Sequence, residues 1–462
     1  MADLRLSAAT LSRLSDPPPV AHPQLHPRIL HLGLGAFHRA HQCVYTERAN
    51  ALAGSDWGIV SVANSNRRLV DGLLAQDCYY SVTELRPDGA RTAVNGNLVD
   101  ALVGGDDPGR VRALVAAPTT AIVTLTITEK GYTPDGSLIG LLAAGLADRH
   151  AAGGPPVTVL TCDNMAGNGA RLQAVVAQAL AGLPGRSPDL AAWLAASVTF
   201  PSTVVDRIVP ATTPADRERA TAALGLEDAA PVAGEPFAQW VIEDAFAAGR
   251  PPWELAGVEL VADVTPYQVT KLRLLNGSHS ALAYLGLATG CQTVAEAMAA
   301  PWGAALVRGL CAEIAPTLPP GGPDPTAYAE SLVTRFENPG IVHQLRQIGS
   351  DGSQKLPYRW LDAVRRLRAE GRPAPLHALA LAAWVLATRP PTEPPSPTSQ
   401  FYGTTDPNAA ALAACWTDTT PPIAELLAAV GAADLAADAA LVRSVADAIP
   451  IVAHNRVEEL FR

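Results

Sequence analysis

The first 260 residues alternate short apolar runs with segments of helical periodicity. The apolar runs are rich in β-branched residues, and each is followed by a segment in which apolar positions recur every three to four residues. This alternation predicts a mostly parallel β-sheet with crossover helices. Strands are predicted over 28–34, 57–63, 121–128 and 157–162, and helices over 37–52, 67–76, 137–150 and 171–183.

From about residue 260 the pattern changes to long Ala- and Leu-rich segments with helical spacing. Helices are predicted over 269–288, 293–316, 325–336, 357–370 and 375–388, and the part after residue 390 adds little beyond a helix near 440–448. We therefore expect an α/β fold with a sheet-containing domain at 25–260 and a mainly α-helical domain at 261–462.

Composition and charge narrow the class of protein. An apolar share of 48% is ample for packed cores, and a net charge of −10 without any Lys/Arg-rich run argues against nucleic acid or an anionic membrane as partner. The six cysteines include no C-x-x-C pair, so neither a disulfide framework nor a structural zinc site is indicated. Without a signal-peptide pattern, we expect a cytoplasmic protein. The sequence leaves the oligomeric state open, and a monomer is compatible with it.

The turn after the first predicted strand carries the first chemical signal. Gly33 and Gly35 allow a tight turn and a close backbone approach to a pyrophosphate. His38 replaces the third glycine of the dinucleotide fingerprint, so an ordinary glycine-rich turn is an equal alternative. The candidate cofactor-binding residues are Gly33, Leu34, Gly35, Ala36, Phe37, His38 and Arg39.

The end of the second predicted strand lacks the acid that usually binds the ribose hydroxyls of NAD. Residues 64–68 are Asn, Ser, Asn, Arg and Arg instead. Either Arg67 or Arg68 is suited to a 2′-phosphate, which leaves NADP open as a cofactor.

Lys271, Asn276 and His279 form the second signal, at the start of the first long helix of the C-terminal domain. At ~100° per residue, the three side chains share one half of an α-helix. Leucines surround the lysine, and apolar surroundings disfavour its charged form and lower its pKa towards that of a usable base. The amide is a neutral donor for an alkoxide or carbonyl oxygen. The alternative is a solvent-facing lysine beside polar groups that bond the backbone.

Taken together, these segments resemble the long-chain mannitol dehydrogenase family of polyol dehydrogenases. The similarity rests on 33–41, 126–132, 162–164 and 271–279, with further matches at 200–208 and 351–355, all in the family's order. It implies a Rossmann-like dinucleotide-binding domain with NAD as the cofactor. It also implies metal-independent hydride transfer at the carbinol carbon of a sugar alcohol or aldonate, and no metal site.

The resemblance also implies roles for individual residues. The residue matching Lys271 is the family's general acid/base, and those matching Asn164 and Asn276 hold the reacting oxygen. The match to His279 orients the substrate. The match to Glu129 lies on a proton path from the lysine to solvent.

Residues 338–357 bear on the choice of substrate within the family. They resemble the fructuronate reductases, whereas mannitol dehydrogenases tend to carry Arg where Gln347 stands. A substrate carboxylate needs a nearby cation, for which Lys355, Arg359 and Arg346 are candidates. The alternative is an exposed loop with ordinary basic residues.

Two further positions qualify these expectations. Asp206, at the end of another predicted strand, is a candidate for bonding a substrate hydroxyl or, alternatively, for pairing near Arg207. Gln268 stands where many family members have Glu, and an amide cannot relay a proton as a carboxylate does.

The resemblance leads us to expect an NAD(P)-dependent oxidoreductase that interconverts D-mannonate and D-fructuronate. Its small-molecule partner would be a polyol, ketose or hexuronate. A mannitol 2-dehydrogenase or an arabinitol dehydrogenase is the alternative within the family. A non-catalytic dinucleotide-binding sensor is the alternative of another class, and it would not need Lys271, Asn276 and Asn164 together.

Overall fold

The computed structural model describes residues 4–19, 24–185, 187–391 and 399–462. The chain divides into two compact units, Met1–Val264 and Thr265–Arg462. The described strands all lie in the first unit: β1 (His26–Leu32), β2 (Trp57–Ala63), β3 (Tyr80–Arg86), β4 (Gly89–Asn95), β5 (Leu98–Val103), β6 (Ile122–Leu125), β7 (Val157–Thr161), β8 (Val198–Thr199), β9 (Thr203–Asp206), β10 (Val232–Gly234), β11 (Gln239–Glu243) and β12 (Glu259–Val261).

The helices of the first unit fill the connections between these strands. They are α1 (Ala36–Ala40), α2 (Gln42–Ala53), α3 (Arg67–Leu74), α4 (Pro108–Ala116), α5 (Ser137–Ala151), α6 (Asn168–Ala181), α7 (Leu190–Ser197) and α8 (Pro214–Leu224), with 3-10 turns at Ala8–Arg13, Glu129–Gly131 and Trp253–Ala256.

Six strands form one parallel sheet in the order β5-β2-β1-β6-β7-β8. Strand β1 lies in the middle, with Leu32 opposite Val62 of β2 on one side and opposite Leu125 of β6 on the other. The chain leaves β1 towards β2 and returns on the other side through β6. Parallel α/β sheets bind ligands at such a reversal, outside the carboxyl ends of the strands.

Both faces of this sheet are buried, and successive side chains serve opposite cores. Ile29 and Ile59 pack with α1 and α2, whereas Leu30 and Val60 pack with α4, α5 and α6. Two-sided burial explains why the strands are nearly continuous apolar runs. Two smaller sheets, β10-β3-β4 and β12-β11-β9, complete the unit.

In the second unit the regular elements of the described residues are helices and helical turns. Its elements are α9 (Thr265–Thr270), a π-helical turn (Lys271–Asn276), α10 (Gly277–Ala288), α11 (Val294–Ala299), α12 (Gly303–Ile314), α13 (Pro325–Phe336), α14 (Leu345–Gly349), α15 (Gly352–Leu356), a second π-helical turn (Pro357–Leu361), α16 (Asp362–Ala369), α17 (Pro375–Ala387), α18 (Ala409–Ala414), α19 (Ile423–Ala429), α20 (Ala433–Ala436) and α21 (Ala439–Ala453), with 3-10 turns at Ala315–Thr317 and Val457–Phe461.

A first prediction for this unit needs correction. The helix expected over 293–316 is two helices, α11 and α12, separated at residues 300–302. Pro301 lies in the break, where its missing N–H and its ring oppose a continuous helix. In the part of the chain that the structure describes, no helix combines the length and apolarity needed to cross a membrane.

Candidate functional site

A cavity of about 270 Å³ lies at the carboxyl ends of β1, β2 and β6, where the strand order reverses. The turn after β1, the segment after β2 and the segment after β6 each contribute to its wall. The lining residues are Gly33, Leu34, Gly35, Ala63, Asn64, Ser65, Asn66, Thr126, Ile127, Thr128, Gly131, Ser137 and Leu138.

The two glycines of the turn have different structural reasons to be glycine. Gly33 has φ +110°, and a Cβ there would lie 2.0 Å from the carbonyl oxygen of Thr126. Gly35 has an ordinary extended backbone (φ −128°), and a Cβ would meet only the Gly33 oxygen, at 3.6 Å. Gly33 is therefore required by the fold, whereas Gly35 leaves open space at the cavity. That space suits the close backbone approach of a dinucleotide pyrophosphate.

His38 and Arg39 lie behind the turn and do not line the cavity. The His38 ring is fully buried and stacks on His31 with the ring centroids 3.3 Å apart. Burial lowers the pKa of His31 to about 3 and that of His38 well below its usual value, so both rings are neutral. The guanidinium of Arg39 donates to the carbonyl oxygen of Gly35 at 3.2 Å. These buried side chains stabilise the turn at Gly33–Gly35 from the core side.

The remaining predicted cofactor-binding residues also include some that line the cavity and some that do not. Leu34 lines the cavity, whereas Ala36 and Phe37 begin α1 and pack against the core. Ser137 and Leu138 at the start of α5 also line the cavity, although they are not among the predicted site residues. No local signal marks them, because only the fold places α5 against the ends of the strands.

The end of β2 forms the part of the cavity where ribose hydroxyls bind in related folds. Asn64 lines it and its Oδ1 accepts a hydrogen bond from the Ser137 hydroxyl at 2.6 Å. Of the two arginines that follow, Arg67 forms an ion pair with Asp106. Arg68 is exposed and has no hydrogen bond or ion pair among the described residues.

Three other predicted site residues of the first unit also lie at strand ends. Glu129 starts the 3-10 turn after β6, next to the cavity-lining residue Thr128. Asn164 is exposed shortly after the end of β7. Asp206 is the last residue of β9 and is buried.

Lys271 and Asn276 begin and end a π-helical turn in the second unit. The N–H of Gly277 bonds to the carbonyl of Leu272, five residues earlier, which is the π-helical spacing. The α-helical geometry expected for this segment is therefore wrong. Because π-helical hydrogen bonds span five residues instead of four, each residue turns through less than the ~100° of an α-helix, and Asn276 lies nearer the face of Lys271 than an α-helix would place it. Lys271 is buried.

A second π-helical turn (Pro357–Leu361) holds the first one in place. The Trp360 indole donates to the carbonyl of Gly277 at 2.9 Å, and Arg359 donates to the carbonyl of Asn276 at 3.3 Å. Arg359 also donates to the Ser280 hydroxyl at 2.9 Å. Widening a helical turn displaces carbonyls from their usual partners, and these side chains satisfy them.

His279 is a buried neutral ring beside these residues. It stacks on Phe336 at 4.3 Å, and its Nε2 has no hydrogen-bond partner among the described residues. Burial lowers the pKa of His279 far below its usual value, and the neighbouring charges of Arg359 and Lys271 add to the effect. An unpaired buried nitrogen of this kind is costly unless a ligand uses it.

Lys355, the other predicted cation, is partly buried. Its Nζ donates to the carbonyl of Ser350 at 2.6 Å and lies 3.7 Å from the carboxylate of Asp351. Burial lowers the pKa of Lys355, and Arg359 lowers it further. The carbonyl of Ile348 is a further, longer acceptor at 3.4 Å, so a ligand at Lys355 would replace this weaker contact. In the described residues no group of three or more His, Cys, Asp or Glu side chains is placed to hold a metal ion.

Comparison with known proteins covers both units. The model for the mannitol dehydrogenase Rossmann domain matches residues 27–255, and that for the mannitol dehydrogenase C-terminal domain matches residues 263–452. The D-mannonate oxidoreductase of Escherichia coli (strain K12) is 42% identical over 399 residues, which cover 80% of this chain and 81% of the relative.

Two solved structures share the whole fold. The mannitol 2-dehydrogenase of Pseudomonas fluorescens, in a ternary complex with NAD and D-mannitol, superposes with a TM-score of 0.81 at 34% identity and covers 99% of both chains. A D-sorbitol dehydrogenase in substrate-free form has a TM-score of 0.87 at 30% identity, covering 98% of this chain and 99% of that one. The expected Rossmann-like N-terminal and helical C-terminal architecture is confirmed. The chain belongs to the mannitol dehydrogenase family of oxidoreductases.

Proposed function

We propose that the protein interconverts D-mannonate and D-fructuronate with NAD(H) as the cofactor. The similarity to the D-mannonate oxidoreductase of Escherichia coli carries the choice of substrate. The cavity beside Gly33 and Gly35 supports the dinucleotide, and the NAD complex of the Pseudomonas enzyme supports its identity. A mannitol 2-dehydrogenase is the second candidate, favoured by that same structural match.

In this proposal Lys271 is the general acid/base. NAD, when bound, supplies the hydride acceptor for the carbinol carbon. Lys271 takes the hydroxyl proton during oxidation and returns a proton to the oxygen during reduction. The family resemblance assigns the amides of Asn276 and Asn164 to that oxygen, where they would stabilise its partial negative charge. Glu129, which the family resemblance places on a proton path, passes the proton on to solvent.

The substrate carboxylate is assigned to Lys355. Arg359 already donates to Asn276 and Ser280, which makes it a support for the π-helical turn. Lys355 would exchange its long 3.4 Å contact with the Ile348 carbonyl for the substrate carboxylate, and neutral His279 offers its unpaired Nε2 to a substrate hydroxyl. Asp206 is assigned to another substrate hydroxyl.

The test compares D-fructuronate with D-fructose, each with NADH and NADPH, by the loss of reduced-nicotinamide absorbance. We expect turnover mainly with fructuronate, and a Lys355→Met variant that raises KM for fructuronate by about tenfold while leaving any fructose activity unchanged. A preference for fructose would make the protein a mannitol dehydrogenase. If neither sugar is reduced although NADH binds, the result would favour a dinucleotide sensor.

The residues after β2 include no acid at 64–68, and this gives a separate prediction about the cofactor. Placing a carboxylate at Asn64, in Asn64→Asp, adds an acceptor for the ribose hydroxyls and repels a 2′-phosphate. The ratio of KM for NADPH to KM for NADH should rise by about tenfold, which corresponds to one modest charge repulsion. Steady-state kinetics with both cofactors measure it. Asn64→Ala, which removes the amide without adding charge, should leave the ratio within about twofold.

A further inference from the structure

One wall of the cavity has a strained backbone. Thr128, which lines the cavity after β6, has φ +65° and ψ 160°. That region of backbone conformation is populated almost only by glycine, and a β-branched residue is especially disfavoured there. Such a conformation persists only where the surroundings impose it.

The side chain that imposes it is Asp163, which follows β7. Its Oδ1 accepts the N–H of Thr128 at 2.9 Å, and its Oδ2 accepts the N–H of Ile127 at 2.9 Å. The hydroxyl of Tyr132 donates to the same Oδ2 at 2.7 Å and also bonds Thr161. One carboxylate thus binds both ends of the segment that runs from Ile127 to Tyr132.

Asp163 is itself firmly placed. It is only 9% exposed, and its carbonyl oxygen accepts a hydrogen bond from the Asn168 amide at 3.0 Å. Burial raises the pKa of Asp163, and the three hydrogen bonds to its carboxylate oppose that rise. A carboxylate offers two acceptor oxygens to the two N–H groups, whereas an asparagine would turn an NH₂ group towards one of them.

We propose that Asp163 is a positioning residue for dinucleotide binding. It fixes the segment after β6 so that Thr126, Ile127 and Thr128 form a wall of the cavity and Glu129 starts beside it. This role rests on the proposed dinucleotide-dependent function. It explains why an acid stands immediately before Asn164.

The test is direct NADH binding, followed by nicotinamide fluorescence without any sugar. Asp163→Asn should weaken NADH binding by about tenfold and raise KM for NADH in parallel, because one backbone N–H loses its charged acceptor. KM for the sugar substrate should change by no more than about twofold. Tyr132→Phe removes only one of the three donors and should weaken binding by about two- to threefold, which keeps the proposal testable if Asp163→Asn fails to fold.

Asp228→Asn is the matched control. Asp228 is also buried, and its carboxylate also accepts a backbone N–H and a hydroxyl, both from Ser81, but Ser81, unlike Ile127 and Thr128, does not line the cavity. It should lower the melting temperature without changing NADH affinity. Equal weakening in Asp163→Asn and Asp228→Asn, or parental affinity in Asp163→Asn, would overturn the positioning role. A parent protein that binds NADH but reduces no sugar would contradict the proposed enzymatic function alone.

Discussion

Replacing Lys271 by alanine should lower kcat/KM for the preferred sugar by about a thousandfold or more, because general acid/base catalysis contributes about 10²- to 10⁴-fold. The loss should appear in kcat, since the amine acts on the proton that moves in the transition state. Affinity for NADH should stay within about twofold, because the glycine turn proposed to hold the dinucleotide is unchanged in this variant. Single-turnover kinetics and NADH titration together measure both quantities.

Arg273 supplies the control for damage to the π-helical turn. It is a buried cation two residues away in the same turn, and it donates to the carbonyl and hydroxyl of Thr317 at 2.7 and 2.9 Å. Arg273→Met should lower the melting temperature yet retain most of kcat. If Lys271→Ala turned over at the parental rate, the catalytic assignment would be wrong. If both variants lost activity equally, Lys271 would be a structural residue.

The central sheet could be predicted from the sequence because burial on both faces removes polar positions from its strands. Strands β1, β2, β6 and β7 fall within or close to the predicted ranges for this reason. The hairpin of β3 and β4 was missed although it has a signal. Pro87 and Asp88 connect two runs of alternating polarity and Gly89 follows them, a sequence typical of a hairpin turn.

Other parts of the fold had no local signal. Strand β10 is three residues long and pairs with β3, about 150 residues earlier in the chain. Periodicity does not exist over three residues, and the partner is chosen by packing at long range. Residues 186 and 392–398 lie outside the described part of the chain.

In the candidate site, too, the features with a local sequence signal could be predicted and those that depend on distant residues could not. The glycine turn is a local device, so the sequence predicts it, and the ends of parallel strands predict that residues near 126 and 164 are suited to a site. The relation of Lys271 to Asn276 could not be predicted. It depends on a π-helical turn whose carbonyls are satisfied by Arg359 and Trp360, more than 80 residues later. Nothing in the sequence of the turn itself distinguishes π from α geometry.

Alanine substitutions at the two glycines of the turn should have different effects, on stability at Gly33 and on NADH binding at Gly35. In Gly33→Ala the new Cβ would lie 2.0 Å from a backbone oxygen of Thr126, at a positive φ that alanine disfavours. The turn must move, at a cost of about 4 kcal/mol, which for a unit of this size lowers the melting temperature by about 10 °C. In Gly35→Ala the backbone is ordinary and the nearest heavy atom is 3.6 Å away, so the melting temperature should be unchanged.

The methyl group added in Gly35→Ala should instead weaken dinucleotide binding. Because Gly35 lines the cavity, a methyl there occupies space that the pyrophosphate needs, and NADH affinity should fall by about tenfold or more. Gly140→Ala is the control, since Gly140 lies inside α5 with no atom within 4 Å of a new Cβ. It should leave NADH binding unchanged and raise stability by about 1 kcal/mol. Thermal unfolding and NADH titration of the three variants separate the roles. Full NADH affinity in Gly35→Ala would mean that the dinucleotide does not approach this turn, and the cavity would lose its assignment.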